Sequence, residues 1–82
     1  MSKPKSLNHY IDLRGTPCPV NYVRCCLEIE ELNHNDILEI DLDKGEPKEM
    51  VFNGLKQAGH HIKVILDEVD WVRLLVVCCA HK

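Results

Sequence analysis

The chain is 82 residues long with a formal net charge of −3 at pH 7, and its apolar and charged contents are ordinary for a small globular domain. That length supports one two-layer core and excludes a larger enzyme built around a deep cleft. No apolar run reaches the ~18 residues of a membrane span, and the mild acidity without a Lys/Arg cluster argues against direct nucleic-acid binding.

The opening MSKPKSLNHY is too polar for a signal peptide, which predicts a cytoplasmic chain. Residues 1–8 read as a flexible tail, and 9–82 as a single domain without internal repeats. HYIDLRG (9–15) alternates loosely and stops at Gly15, as a short first strand and turn do. After TPCP the pattern turns helical up to about Asn33. Tyr22, Cys25, Cys26, Ile29 and Leu32 share one face, and Arg24, Glu28 and Glu31 the other. Val23 and Leu27 are expected to widen the apolar arc.

NHND (33–36) signals a turn, and DILEIDL (36–42) then alternates strictly, as a half-buried strand does. DKGEP (43–47) is a loop whose Pro47 suits the first turn of a second helix. Val51, Leu55 and Ala58 form that helix's inward stripe with Phe52 beside them, and Gly59 suits the position that ends it. HHIKVILDE (60–68) and DWVRLLVVCCA (70–80) read as two further strands joined by a tight turn at 68–70. The order β-α-β-α-β-β predicts an α+β fold: a two-layer α/β sandwich of a four-stranded mixed sheet with two helices on one face.

Five cysteines on a chain without a secretion signal are expected to stay reduced, and an odd count leaves one thiol free under any internal pairing. Cys18 lies between Pro17 and Pro19 at the strand-to-helix junction. With Pro19 at the first helical position, Cys18 becomes the N-cap, where unpaired amides and the helix dipole favour a thiolate. Arg14 is a second candidate source of positive charge. The local pattern fits equally a cysteine that fills a small polar slot where Ser or Asp would serve.

The stretch IDLRGTPCPVNY (11–22) resembles the signature of the TusA/SirA-type small sulfur carriers, a D-x-R-G turn followed by C-P-x-P at the start of the first helix. Asp12, Arg14, Gly15, Cys18 and Pro19 match it, whereas Asn21 replaces the second proline. Length, element order, the Gly-Glu-Pro approach to the second helix and AGHHI (58–62) extend the resemblance over nearly the whole chain. It implies a sulfur relay without a classical active site. Cys18 accepts sulfane sulfur as a persulfide, while Asp12, Arg14, Gly15 and Pro19 shape its surroundings. It further implies a donor protein of the cysteine desulfurase or rhodanese type, an acceptor protein, no cofactor, and a monomer. The Asn21 departure changes the shape offered to partners.

The remaining candidates have plainer readings. Cys25 and Cys26 fall on the apolar helix face as packing thiols. Cys78 and Cys79 end the last strand, so alternation sends one inward and one outward. A zinc site joining them to His81 lacks ligand spacing. His60 and His61 straddle the start of the third strand, so one should face solvent. The acidic residues of 28–31 and 39–49 read as solvated faces, with docking of a basic partner as the sharper alternative. Two rivals to the relay remain: a non-catalytic interaction or regulatory module on the same sandwich, and a thiol redox or metal-binding role.

Overall fold

A computed structural model describes residues 8–17 and 19–79. The chain runs β1 (Asn8–Asp12), α1 (Val20–Glu30), β2 (Ile37–Asp43), α2 (Glu46–Gln57), β3 (His61–Asp67) and β4 (Trp71–Val77). The four strands form one sheet in the order β1-β2-β4-β3. β1 runs parallel to β2, and β4 lies antiparallel to both β2 and β3. The predicted element order and the mixed sheet are both present.

Strict alternation decides which face of β2 is buried. Leu38, Ile40 and Leu42 pair across the sheet with Val76, Leu74 and Val72, and all six lie in the core. Val51 and Leu55 of α2 and Cys25 of α1 close over that face. Fully burying a leucine, isoleucine or valine stabilises the fold by about 1.5–3 kcal/mol each, so this layer dominates the energetics. Among the described residues no helix covers the opposite face.

α2 follows the expected plan. Gly45 caps it, Pro47 sits in the first turn, and Gly59 follows the C-cap residue Ala58. Ala58 itself is exposed rather than inward, because the helix ends before its side chain can reach the sheet.

α1 departs from expectation in three ways. It ends at Glu30, short of Asn33, and Leu32 still reaches the core from the turn beyond. The capping residue is Pro19, with φ −92° and ψ 13°, and Val20 is the first helical residue. The expected cap, Cys18, lies outside the described residues. Thirdly, the helix is rolled toward Asn21, which is fully buried together with Cys25, while Val23 and Leu27 are 50% and 58% exposed. Asn21 explains the roll: its Oδ1 accepts the Tyr22 N–H at 2.6 Å, and its own N–H reaches the Pro17 carbonyl at 3.0 Å. These bonds hold the first turn with Asn21 facing inward.

Beyond α1, Asn33 N–H donates to the Asp36 carboxylate at 2.9 Å. Asn35 N–H reaches the Cys78 carbonyl and Cys78 N–H the Asp36 carbonyl, pinning the end of β4 to this turn. Among the described residues no helix is long and apolar enough to cross a membrane.

Candidate functional site

β1 delivers the chain to the junction, and buried Leu13 anchors it there with its N–H on the Asp41 carbonyl at 2.9 Å. Thr16 N–H then closes a four-residue turn on the Leu13 carbonyl at 3.0 Å. Gly15 occupies the third position of that turn with φ +81°, a left-handed backbone that costs other residues strain. Its N–H donates to Asp43 Oδ2 at 2.8 Å.

Asp12 and Arg14 are joined by a two-pronged pair, Nε to Oδ1 at 2.9 Å and Nη2 to Oδ2 at 3.0 Å. The Arg14 backbone N–H adds a third bond to the same carboxylate at 3.1 Å. Hydrogen bonding from the Arg14 side chain and then its backbone holds the Asp12 carboxyl down at about 2. The positive charge foreseen for Arg14 is therefore shared with a carboxylate two residues away, and Arg14 acts first as a brace of the turn.

The turn rests on a polar ladder on the uncovered sheet face. The Arg14 guanidinium lies 4.6 Å from the centre of the Trp71 ring, with Arg73 5.6 Å from the same ring on its own side. Arg73 grips Asp41 with bonds of 2.7 and 3.0 Å, and the Tyr10 hydroxyl donates to Asp41 at 2.5 Å. Asp41 is fully buried, which corrects the expectation that the acids of 39–49 are all solvated. Burial is the largest single influence on its carboxyl and pushes it up. The bonds from Arg73 and Tyr10, with the charges of Arg73 and Arg14, outweigh that and leave it below the usual carboxylate range.

Of the five matching residues, Asp12, Arg14 and Gly15 are brought together in one turn, and Pro19 caps α1 a few residues on. Cys18, between them in the chain, lies outside the described residues. Sequence reasoning did not single out Tyr10, Asp41, Asp43, Trp71 or Arg73. The available signal was Asp41-x-Asp43 on one strand and Trp71-x-Arg73 on another, each spaced to share a face. The register sets Asp41 opposite Arg73 and Asp43 opposite Trp71.

Cys78 and Cys79 divide as expected, whereas Cys26, expected to pack beside Cys25, does not share its burial. Cys25 and Cys78 are buried, whereas Cys26 and Cys79 are partly exposed. Burial pushes the Cys25 thiol up to about 12 and the Cys78 thiol up to about 11. His60 Nδ1 accepts the Cys79 N–H at 3.0 Å, and His61 is exposed. Among the described residues no group of His, Cys, Asp or Glu side chains is arranged to hold a metal ion.

The molecule is a small two-layer α+β sandwich with a braced turn leading into its first helix. The Sulfurtransferase TusA family model matches residues 9–77. A curated protein of Archaeoglobus fulgidus, whose name proposes a sulfur carrier, is 26% identical over 76 residues, covering 90% of this chain and 86% of its own. The crystal structure of a SirA-like protein from Desulfitobacterium hafniense has the same fold, with a TM-score of 0.75 at 15% identity, over 90% of this chain and all of that one. The chain belongs to the sulfurtransferase TusA family.

Proposed function

We propose that Cys18 carries the sulfur, in the reducing environment of the cytoplasm. The observation behind this reading is that Asp12, Arg14 and Gly15, which match the family's motif, form a single braced turn just upstream of Cys18. Downstream, Pro19 caps a helix with no acidic residue in its first turn to offset the positive end of its dipole. In the loading step the Cys18 thiolate attacks the outer sulfur of a donor persulfide. A new S–S bond forms, the donor's S–S bond breaks, and the donor cysteine leaves as a thiolate with no net change of oxidation state. Unloading repeats this with an acceptor thiolate as the attacking group. The donor is a cysteine desulfurase or rhodanese-type protein, and each transfer is a transient encounter between proteins.

The exposed strip of Val20, Val23 and Leu27 (46%, 50% and 58% exposed) lies directly after Pro19 and suits such brief contacts. The carrier itself contributes no general base, because the persulfide is already an anion near neutral pH.

Incubation with a cysteine desulfurase and cysteine, followed by intact mass, tests the proposal. Wild type should gain one reducible sulfur, and a Cys18→Ala variant none. Equal gain by the variant sinks it.

A further inference from the structure

The sheet face without helices carries an aromatic and charged ladder that the sulfur chemistry does not itself require, and Trp71 is at its centre. Trp71 opens β4 directly opposite Asp43. Asp43 in turn accepts the Gly15 N–H at 2.8 Å. The indole also carries the Arg14 guanidinium at 4.6 Å. Both central residues of the turn are therefore held from this one corner of the sheet, Arg14 by the ring and Gly15 by its cross-strand neighbour. Arg73, clamped to buried Asp41, lies 5.6 Å from the same ring.

We infer that Trp71 is a positioning residue for the sulfur site, acting through Arg14 to fix the turn that leads into Cys18; the inference rests on the sulfur-carrier reading above. The Arg14–Asp12 pair is two-pronged but exposed on both sides, with side-chain exposures of 40% and 43%, so solvent screens it. An indole against the guanidinium adds a constraint that solvent does not screen. Cation–π contact is strongest for Trp, weaker for Tyr and Phe, and absent for Leu. The positioning should follow that order.

The test compares Trp71→Tyr, Trp71→Phe and Trp71→Leu in the native background and in an Arg14→Gln background. Two rates are read: sulfur loading of Cys18 from a cysteine desulfurase with cysteine, and alkylation of Cys18 by iodoacetamide from pH 6 to 10. Peptide mass resolves the sites, with Cys26 and Cys79 as internal controls. Thermal melting confirms that each variant is folded. Loading should fall by about three- to tenfold for Leu, less for Phe and least for Tyr, and this grading should vanish once Arg14 is Gln. Alkylation of Cys18 should change in the same order while Cys26 and Cys79 do not.

Equal grading in both backgrounds, or native rates throughout, overturns the inference. Should Trp71→Leu fail to fold, Tyr and Phe decide, and native rates for both count against it. If wild type takes up no sulfur, the carrier reading fails, and the alkylation series alone then judges Trp71.

Discussion

Asp41 Oδ1 accepts Arg73 Nε at 2.7 Å although Asp41 is fully buried and the Arg73 side chain keeps 31% of its surface. A charge withdrawn from water is tolerable only with such a partner. Replacing Arg73 by Met should therefore lower stability clearly, because it strands the Asp41 carboxylate with Tyr10 as its remaining side-chain donor. Replacing both, as Asp41→Leu with Arg73→Met, should recover much of that loss. Urea unfolding of the native protein and both variants measures the difference, and equal losses for the single and double variants contradict it.

The same pair sets the acid response. Asp41 and Asp12 both titrate below the ordinary value of 3.8, Asp12 at about 2, so each binds its proton more readily in the unfolded chain. Groups of this kind stabilise the fold in full above the unfolded value and lose that contribution as pH falls through the folded one. The urea midpoint should hold steady from pH 7 to about 5, then fall from about pH 4 toward pH 2. In Asp41→Asn the fall should be shallower, with a lower plateau at neutral pH.

The close approach of the helices predicts an unusual penalty at Gly54. A methyl group there would stand 2.5 Å from Tyr22 Cε1 and 2.9 Å from Cζ. Alanine favours a helix interior by about 1 kcal/mol, but forcing a half-buried ring aside costs about 1–3 kcal/mol. Gly54→Ala should be destabilising on balance, by up to roughly 2 kcal/mol. Adding Tyr22→Leu to Gly54→Ala should relieve the clash, and melting temperatures of the single and double variants test this.

Asn21 tests the departure from the family motif. Its Oδ1 caps the Tyr22 N–H at 2.6 Å in a fully buried setting. Asn21→Ala leaves that donor without its side-chain acceptor and should cost about 1–3 kcal/mol. Guanidinium unfolding reads the loss directly. An unchanged midpoint would mean that the side chain does not hold the first turn.

The thiols should separate by reactivity. Cys25 and Cys78 stay protonated at neutral pH because burial raises them to about 12 and about 11, so they resist alkylation in the native protein. Cys26 and Cys79, partly exposed, should be labelled by iodoacetamide without denaturant. Brief labelling at pH 7.5 with peptide mapping, repeated in guanidinium, decides. Native labelling of Cys25 at the rate of Cys26 refutes the assignment.

The sheet was legible because alternation in Leu38, Ile40 and Leu42 has one physical solution, and α2 because Pro47 and Gly59 mark its ends. The roll of α1 was not, since periodicity alone favours Val23 and Leu27 for the core over a polar Asn21. The bonds that Asn21 makes with its neighbours accompany the reversed ranking and are not visible in the periodicity. Likewise Asp12, Arg14 and Gly15 could be read as a turn from their own stretch of sequence. Their supports, Asp43 and Trp71, could not, because they arrive by strand pairing across long separations.

The strand order gives the chain a particular birth sequence. Among the described residues β4 lies between β2 and β3 and is the one strand that pairs with β3, yet it is the last of the described elements to be synthesised. At about 5–20 residues per second, several seconds separate translation of Arg14 from that of Trp71. Throughout that interval the nascent turn has no indole beneath it, and Asp41 has no Arg73. Residues 71–77 therefore act as the closing stitch of the domain. A message truncated just before them leaves β3 unpaired and yields a fragment for proteolysis rather than a half-competent carrier.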